Sequence, residues 1–213
     1  CYVVDARQEY IEEYIWPALK GNAVYEDEYL LGTSTARPLI GKILVEYARQ
    51  EKAVAICHGA TGKGNDQVRF ELAIKAFAPD LQVIAAWRDA KWTLQSREEE
   101  IKYLEDRKIP VPVKKSSSYS CDENIWHISH EGLELEKTEN EPNWANMLKE
   151  TKTPEQAPDK PEYVKIEFEA GIPVAVNGKK MNGLEIMETL NKIGGKNGIG
   201  LVDLVENRCV GMK

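Results

Sequence analysis

A continuous apolar run, AVAIC at residues 53–57, ends in a loop holding Gly59, Gly62 and Gly64, and a helical pattern opens directly after it at Asp66. That order constrains the fold more than any other feature. A short run without polar alternation suits a strand buried on both faces of a parallel sheet. Parallel strands need a crossover, so the helix predicted over 66–77 must lead into a second strand. LQVIAAW at 81–87 supplies it. Another helix is predicted over 38–50, with Pro38 in its first turn. Ser96 and Glu99 form a capping-box signal for a helix over 97–107. IPVPV at 109–113 reads as an extended segment better suited to an edge than a centre. The alternation is that of an α/β domain with a parallel sheet.

Towards the ends, Tyr2–Val4 reads as a strand and residues 7–19 as a helix that Pro17 ends or kinks. After about residue 114 the pattern changes. Residues 114–162 hold serines, charges and prolines with little periodicity. From 163, YVKIEF, EAG, IPVAV and NG predict antiparallel pairing. A helix is expected over 183–193, then a loop at GGKNGIG, and LVDLVENRCVG carries a candidate final strand. Two domains are therefore expected, 1–113 and 114–213.

Composition removes several classes. A net charge of -7 argues against a general nucleic-acid binder. No apolar run approaches the eighteen residues a membrane span needs, and the first ten residues lack the pattern of a signal peptide. The four cysteines form no C-x-x-C pair, and with three histidines they fit no zinc template. A reduced cytosolic protein without a transition-metal site is expected.

The glycine loop lies where α/β sheets bind ligands, and the helix start after it favours an anion. GATGKG lacks the spacing of a Walker A motif and is not a dinucleotide fingerprint. Asn65, Asp66 and Arg69 share the helix start, and 65 and 69 share a face. A zwitterion fits there, its carboxylate on Arg69 and its amine on Asp66. A capping Asp and a surface salt bridge fit the same residues, and the pattern leaves both open. In GTSTARP, the hydroxyls of Thr33, Ser34 and Thr35 precede the predicted helix, and any one of them suffices as a cap. Capping does not explain Arg37. Tyr29 either lies over a ligand or packs in the core. SYSCDENIWHISHE (118–131) gathers Ser120, Asp122, Glu123, Asn124, His127, Ser129 and His130. The histidines are candidate bases, against the plainer reading of hydrogen-bonded or surface imidazoles. Glu206 is a ligand contact or half of a salt bridge.

YLLGTSTARP, HGATGKGNDQVRFE, YSCDEN, HISHE and VENRCVGMK, in that order, resemble motifs of the argininosuccinate synthases. The resemblance implies an adenine nucleotide alpha-hydrolase-like (Rossmann-like) parallel-sheet domain followed by part of an α+β synthetase domain. It implies ATP-dependent ligation of citrulline and aspartate through citrullyl-AMP, releasing AMP and pyrophosphate, with Mg2+ accompanying the nucleotide. It also implies a cytoplasmic homotetramer with no nucleic-acid or membrane partner. Carried onto matching positions, citrulline contacts fall at Tyr29, Ser34, Asn65, Arg69, Ser120, Ser129 and Glu206. Aspartate contacts fall at Thr33, Thr61, Asn65 and Asp66, and a position beside the nucleotide at Gly59. Asn65 and Asp66 lie at the junction of the two amino acids and carry the catalytic expectation. The family's SGGLDTS-type pyrophosphate loop and its C-terminal arm have no counterpart in these 213 residues. The expectation is a middle portion that does not turn over ATP by itself. A non-catalytic amino-acid-binding relative is the alternative, and the retained polar set speaks against it.

Overall fold

The computed structural model describes residues 1–62, 64–94, 96–110 and 119–205. The chain divides into two compact units, the first within residues 34–120 and the second made of residues 1–33 with 121–205.

In the first unit, β1 (Ala55–His58) and β2 (Gln82–Ala85) pair in parallel, with Ile56 opposite Val83. The crossover between them is the Asp66–Phe77 helix, with the bounds its periodicity predicts. Val45, Ala48, Ile56, Ile74, Ala78 and Leu81 form the core, with Ile74 fully buried. Burying an isoleucine of this kind contributes about 1.5–3 kcal/mol. The core fastens the crossover helix to the strands and so fixes where its first turn stands.

The Gly32–Gln50 helix begins six residues before the expected start, so Thr33, Ser34 and Thr35 lie in its first turn instead of preceding it. Pro38 sits inside the helix. Farther along, a Cβ on Gly41 would stand 2.7 Å from the Ala73 Cβ of the crossover helix, so these two helices meet as closely as backbones allow. β2 is shorter than LQVIAAW predicts, because the chain tightens into a 3-10 turn at Ala86–Arg88. The Arg97–Asp106 helix carries the predicted capping box: Ser96 Oγ accepts from the Glu99 N–H, and Glu99 accepts from the Ser96 N–H. Ile109 and Pro110 are in no strand, and residues 111–113, like the boundary near 114, lie outside the described residues.

In the second unit a helical stretch runs through Arg7–Tyr10, a π turn at Ile11–Ile15, and Trp16–Lys20. Pro17 does not end it. The wider π register stands directly before Pro17, where an i→i−4 bond has no donor. Tyr2–Val4 is not a strand: Val3 is 97% exposed, and a strand needs a ladder partner. Beyond β3 (Ser120–Glu123) and its partner β4 (Ile128–Glu131), β5 (Ile166–Glu169), β6 (Ile172–Val176) and β7 (Lys179–Lys180) form an antiparallel meander, as the alternation and turn residues predict. Its two turns, at Ala170-Gly171 and Asn177-Gly178, place both central residues at positive φ. That is the hairpin turn whose twist matches the strands.

The Gly183–Lys196 helix is capped by an Asn182–Glu185 box and packs on β6. It runs past residue 193 through Gly194 and Gly195, which were expected in a loop. Gly195 lies so close to the Glu150 carbonyl that no side chain fits between them. Residues 201–205 form no strand, and the rest of the expected final strand is outside the described residues.

Candidate ligand site at the start of the crossover helix

β1 delivers the chain into the loop at Gly59, and the helix opens at Asp66. Gln67 ties the loop back, its Nε2 donating to the Gly62 carbonyl at 3.1 Å. A Cβ at Gly59 would meet nothing within 4 Å, so the loop is open at that point. Thr61 and Asn65 are exposed, and the Asn65 side chain makes no capping bond. Lys63 lies outside the described residues.

Asp66 is held by two arginines. Arg37, from the Gly32–Gln50 helix, donates to Asp66 Oδ2 through Nε at 3.0 Å and Nη2 at 2.8 Å. Arg69 Nη1 reaches Oδ1 at 3.2 Å from one turn further along the same helix. Of the two readings left open by the sequence, the salt bridge is present, and it fixes a carboxylate beside a guanidinium at a helix start. Beneath this pair, the Arg37 guanidinium stands 5.8 Å from the Phe70 ring centroid, and the Phe70 ring packs 5.8 Å from that of His58. His58 is buried, its ring nitrogens have no hydrogen-bond partner, and Nε2 lies 3.7 Å from a Glu71 oxygen. Glu71 is paired with Arg88.

In the second unit, the residues after Tyr29 are fixed by the 124–127 turn. His127 Nε2 accepts the Gly32 N–H at 2.7 Å, so an imidazole caps the long helix from outside. The Tyr10 hydroxyl donates to the Gly32 carbonyl at 2.8 Å, and the Trp126 indole donates to the Leu30 carbonyl at 3.0 Å. The Asn124 side chain in turn holds the backbone N–H groups of Trp126 and His127. Tyr29 stacks at a tilt on His127, with centroids 5.2 Å apart. His127 is thus a structural acceptor, the plainer of its two readings. Burial lowers its pKa from the ordinary 6.5, against the opposing charge of Asp122.

A depressed folded-state value means that this histidine favours the fold above pH 6.5. The contribution is lost as pH falls through the folded value. His130, lowered by burial and by Lys149, acts in the same direction. Denaturant midpoints between pH 7.5 and pH 5 are therefore expected to fall less in His127→Gln, which keeps an acceptor without a titrating ring. An identical fall in both proteins would refute the cap.

The expected site residues divide between the units. Ser34, Gly59, Thr61, Asn65, Asp66, Arg69 and Ser120 belong to the first, and Tyr29, Thr33 and Ser129 to the second. Thr33 is buried with its hydroxyl unpartnered, Ser129 lies in β4, and Ser120 opens β3. Glu206 is outside the described residues. Sequence reasoning missed the Arg37–Asp66 pair, whose members stand 29 positions apart with no periodicity linking them. It also missed the His58–Glu71–Arg88 group and the capping role of His127. Capping left Arg37 unexplained, and that was the available signal.

A family model described as the N-terminal HUP domain of arginosuccinate synthase matches residues 1–110, and one described as its C-terminal domain matches residues 119–213. The argininosuccinate synthase of Desulforamulus reducens is 62% identical over 212 residues, that of Lachnospira eligens 60% and that of Acetivibrio thermocellus 58%. Each alignment covers 100% of this chain and 52% of the relative, so the chain spans about half the length of the curated relatives it matches. The parallel strands and crossover helix are those of an adenine nucleotide alpha-hydrolase-like domain, and a synthetase C-terminal domain follows. This chain belongs to the argininosuccinate synthase family.

Proposed function

We propose that these residues form the amino-acid side of an ATP-dependent ligase that joins citrulline to aspartate, yielding argininosuccinate, AMP and pyrophosphate. The observation that carries the reading is the carboxylate–guanidinium pair of Asp66 and Arg69 at the start of a helix that follows a glycine loop. Arg69 faces the citrulline carboxylate and Asp66, with Asn65, orients the amine of aspartate. Tyr29, Ser34, Ser120, Ser129 and Glu206 complete the citrulline contacts, Thr33 and Thr61 those of aspartate, and Gly59 lies beside the nucleotide.

The ureido oxygen of citrulline attacks the α-phosphorus of ATP and expels pyrophosphate. The aspartate amine then attacks the activated carbon and expels AMP. No covalent bond to the protein forms, so the protein's contribution is position and charge. Mg2+ travels with nucleotide phosphates. Among the described residues no group of three or more His, Cys, Asp or Glu side chains could hold a metal ion, so no step is assigned to a metal held by these residues. Residues 1–113 serve the nucleotide and 114–213 the synthetase part of a cytoplasmic homotetramer. Among the described residues no helix is long and apolar enough to cross a membrane.

The test is product formation by the complete gene product. Argininosuccinate should appear only with ATP, citrulline and aspartate together. Amino-acid binding without product would favour the non-catalytic alternative.

A further inference from the structure

We propose that Arg37 is a positioning residue for Asp66, so that the catalytic geometry depends on a guanidinium that touches neither amino acid. The inference rests on the role given to Asp66 above. It comes from an asymmetry between the two arginines. Both Arg37 donors fall on one oxygen, Asp66 Oδ2, at 3.0 and 2.8 Å, and only one Arg69 donor reaches Oδ1, at 3.2 Å. The Arg37 side chain is 18% exposed against 30% for Arg69. Arg37 also lies over the Phe70 ring, four residues along the Asp66 helix. Its cation is therefore braced by an aromatic face and sets two donors against one carboxylate oxygen.

Arg69 is the more open of the two and holds its oxygen by a single longer bond. That suits a group that turns to a ligand carboxylate. A carboxylate gripped on one oxygen by a neighbouring helix keeps its orientation when the other oxygen changes partner. Positioned groups lose rate steeply when displaced by about 1 Å, on the order of 100-fold.

The test uses the complete gene product with Arg37→Ala, Arg37→Lys, Asp66→Asn and the double variant Arg37→Ala/Asp66→Asn. Arg37→Ala should lower kcat by roughly 10- to 100-fold, the range typical of outer-shell orienting groups, with the KM for ATP little changed. Arg37→Lys, which keeps a cation, should recover part of the loss. The double variant should be no slower than Asp66→Asn alone, because both changes remove one unit.

Wild-type kcat in Arg37→Ala beside a slow Asp66→Asn would overturn this inference alone. Losses that multiply in the double variant would overturn it too. Wild-type kcat in Asp66→Asn would instead overturn the role of Asp66 itself. If Arg37→Ala does not fold, Arg37→Lys decides: an intermediate kcat supports the inference and a wild-type kcat refutes it.

Discussion

Asp66→Asn is expected to lower argininosuccinate formation by at least two orders of magnitude in the complete gene product, the scale seen when a preorganised charge is removed from a reaction centre (about 100- to 1,000-fold). Asparagine keeps the shape of the side chain and one oxygen for the Arg37 donors. The fold should therefore survive with a modest loss, about 1–2 kcal/mol for weakening a charge-assisted pair that is two-thirds buried. What disappears is the charge proposed to meet the amine of aspartate. Asp66→Ala is the harsher variant, because it removes the carboxylate that the largely buried Arg37 guanidinium pairs with. Initial rates at saturating ATP and citrulline, read with the denaturant midpoint of each protein, separate the chemical loss from the structural one. Near-normal turnover in Asp66→Asn would refute the role assigned to this carboxylate.

The second large effect concerns the contact that lets two helices share the site. Gly41 lies one turn beyond Arg37, and Ala73 lies one turn beyond Arg69 and two beyond Asp66. A Cβ at 41 would stand 2.7 Å from the Ala73 Cβ, and valine adds two methyl groups to that clash. Gly41→Val must push the helices apart. Overpacking of this kind costs about 1–3 kcal/mol, a sizeable share of a domain's stability. The same displacement draws Arg37 from Asp66, so stability and kcat should fall together. A valine tolerated with an unchanged midpoint and unchanged turnover would show that the close approach is not required.

The crossover was legible because its signals are local. An apolar run, three glycines and a 3.6-residue pattern predict β1, the loop and the Asp66–Phe77 helix, and the capping boxes and type I′ turns are equally short-range. What was missed depends on tertiary partners. Proline is at home in a first turn, so the pattern alone puts the start of the long helix at Pro38. The cap is instead His127, 95 residues away. Tyr2–Val4 has strand composition and no strand partner among the described residues, which shows how far propensity defers to pairing. At the site, the sequence identified Asn65, Asp66 and Arg69 as a group. It left Arg37 unexplained, because an ion pair between two helices has no period to detect.

The most direct measurement follows one oxygen atom. The complete gene product is supplied with ATP, aspartate and citrulline carrying 18O in its ureido group, and the products are weighed. The account predicts that the label moves quantitatively to the phosphate of AMP, leaving argininosuccinate without it. That result requires the ureido oxygen to attack the α-phosphorus and the aspartate amine to displace AMP. Unlabelled AMP, or ADP and orthophosphate in its place, would contradict it.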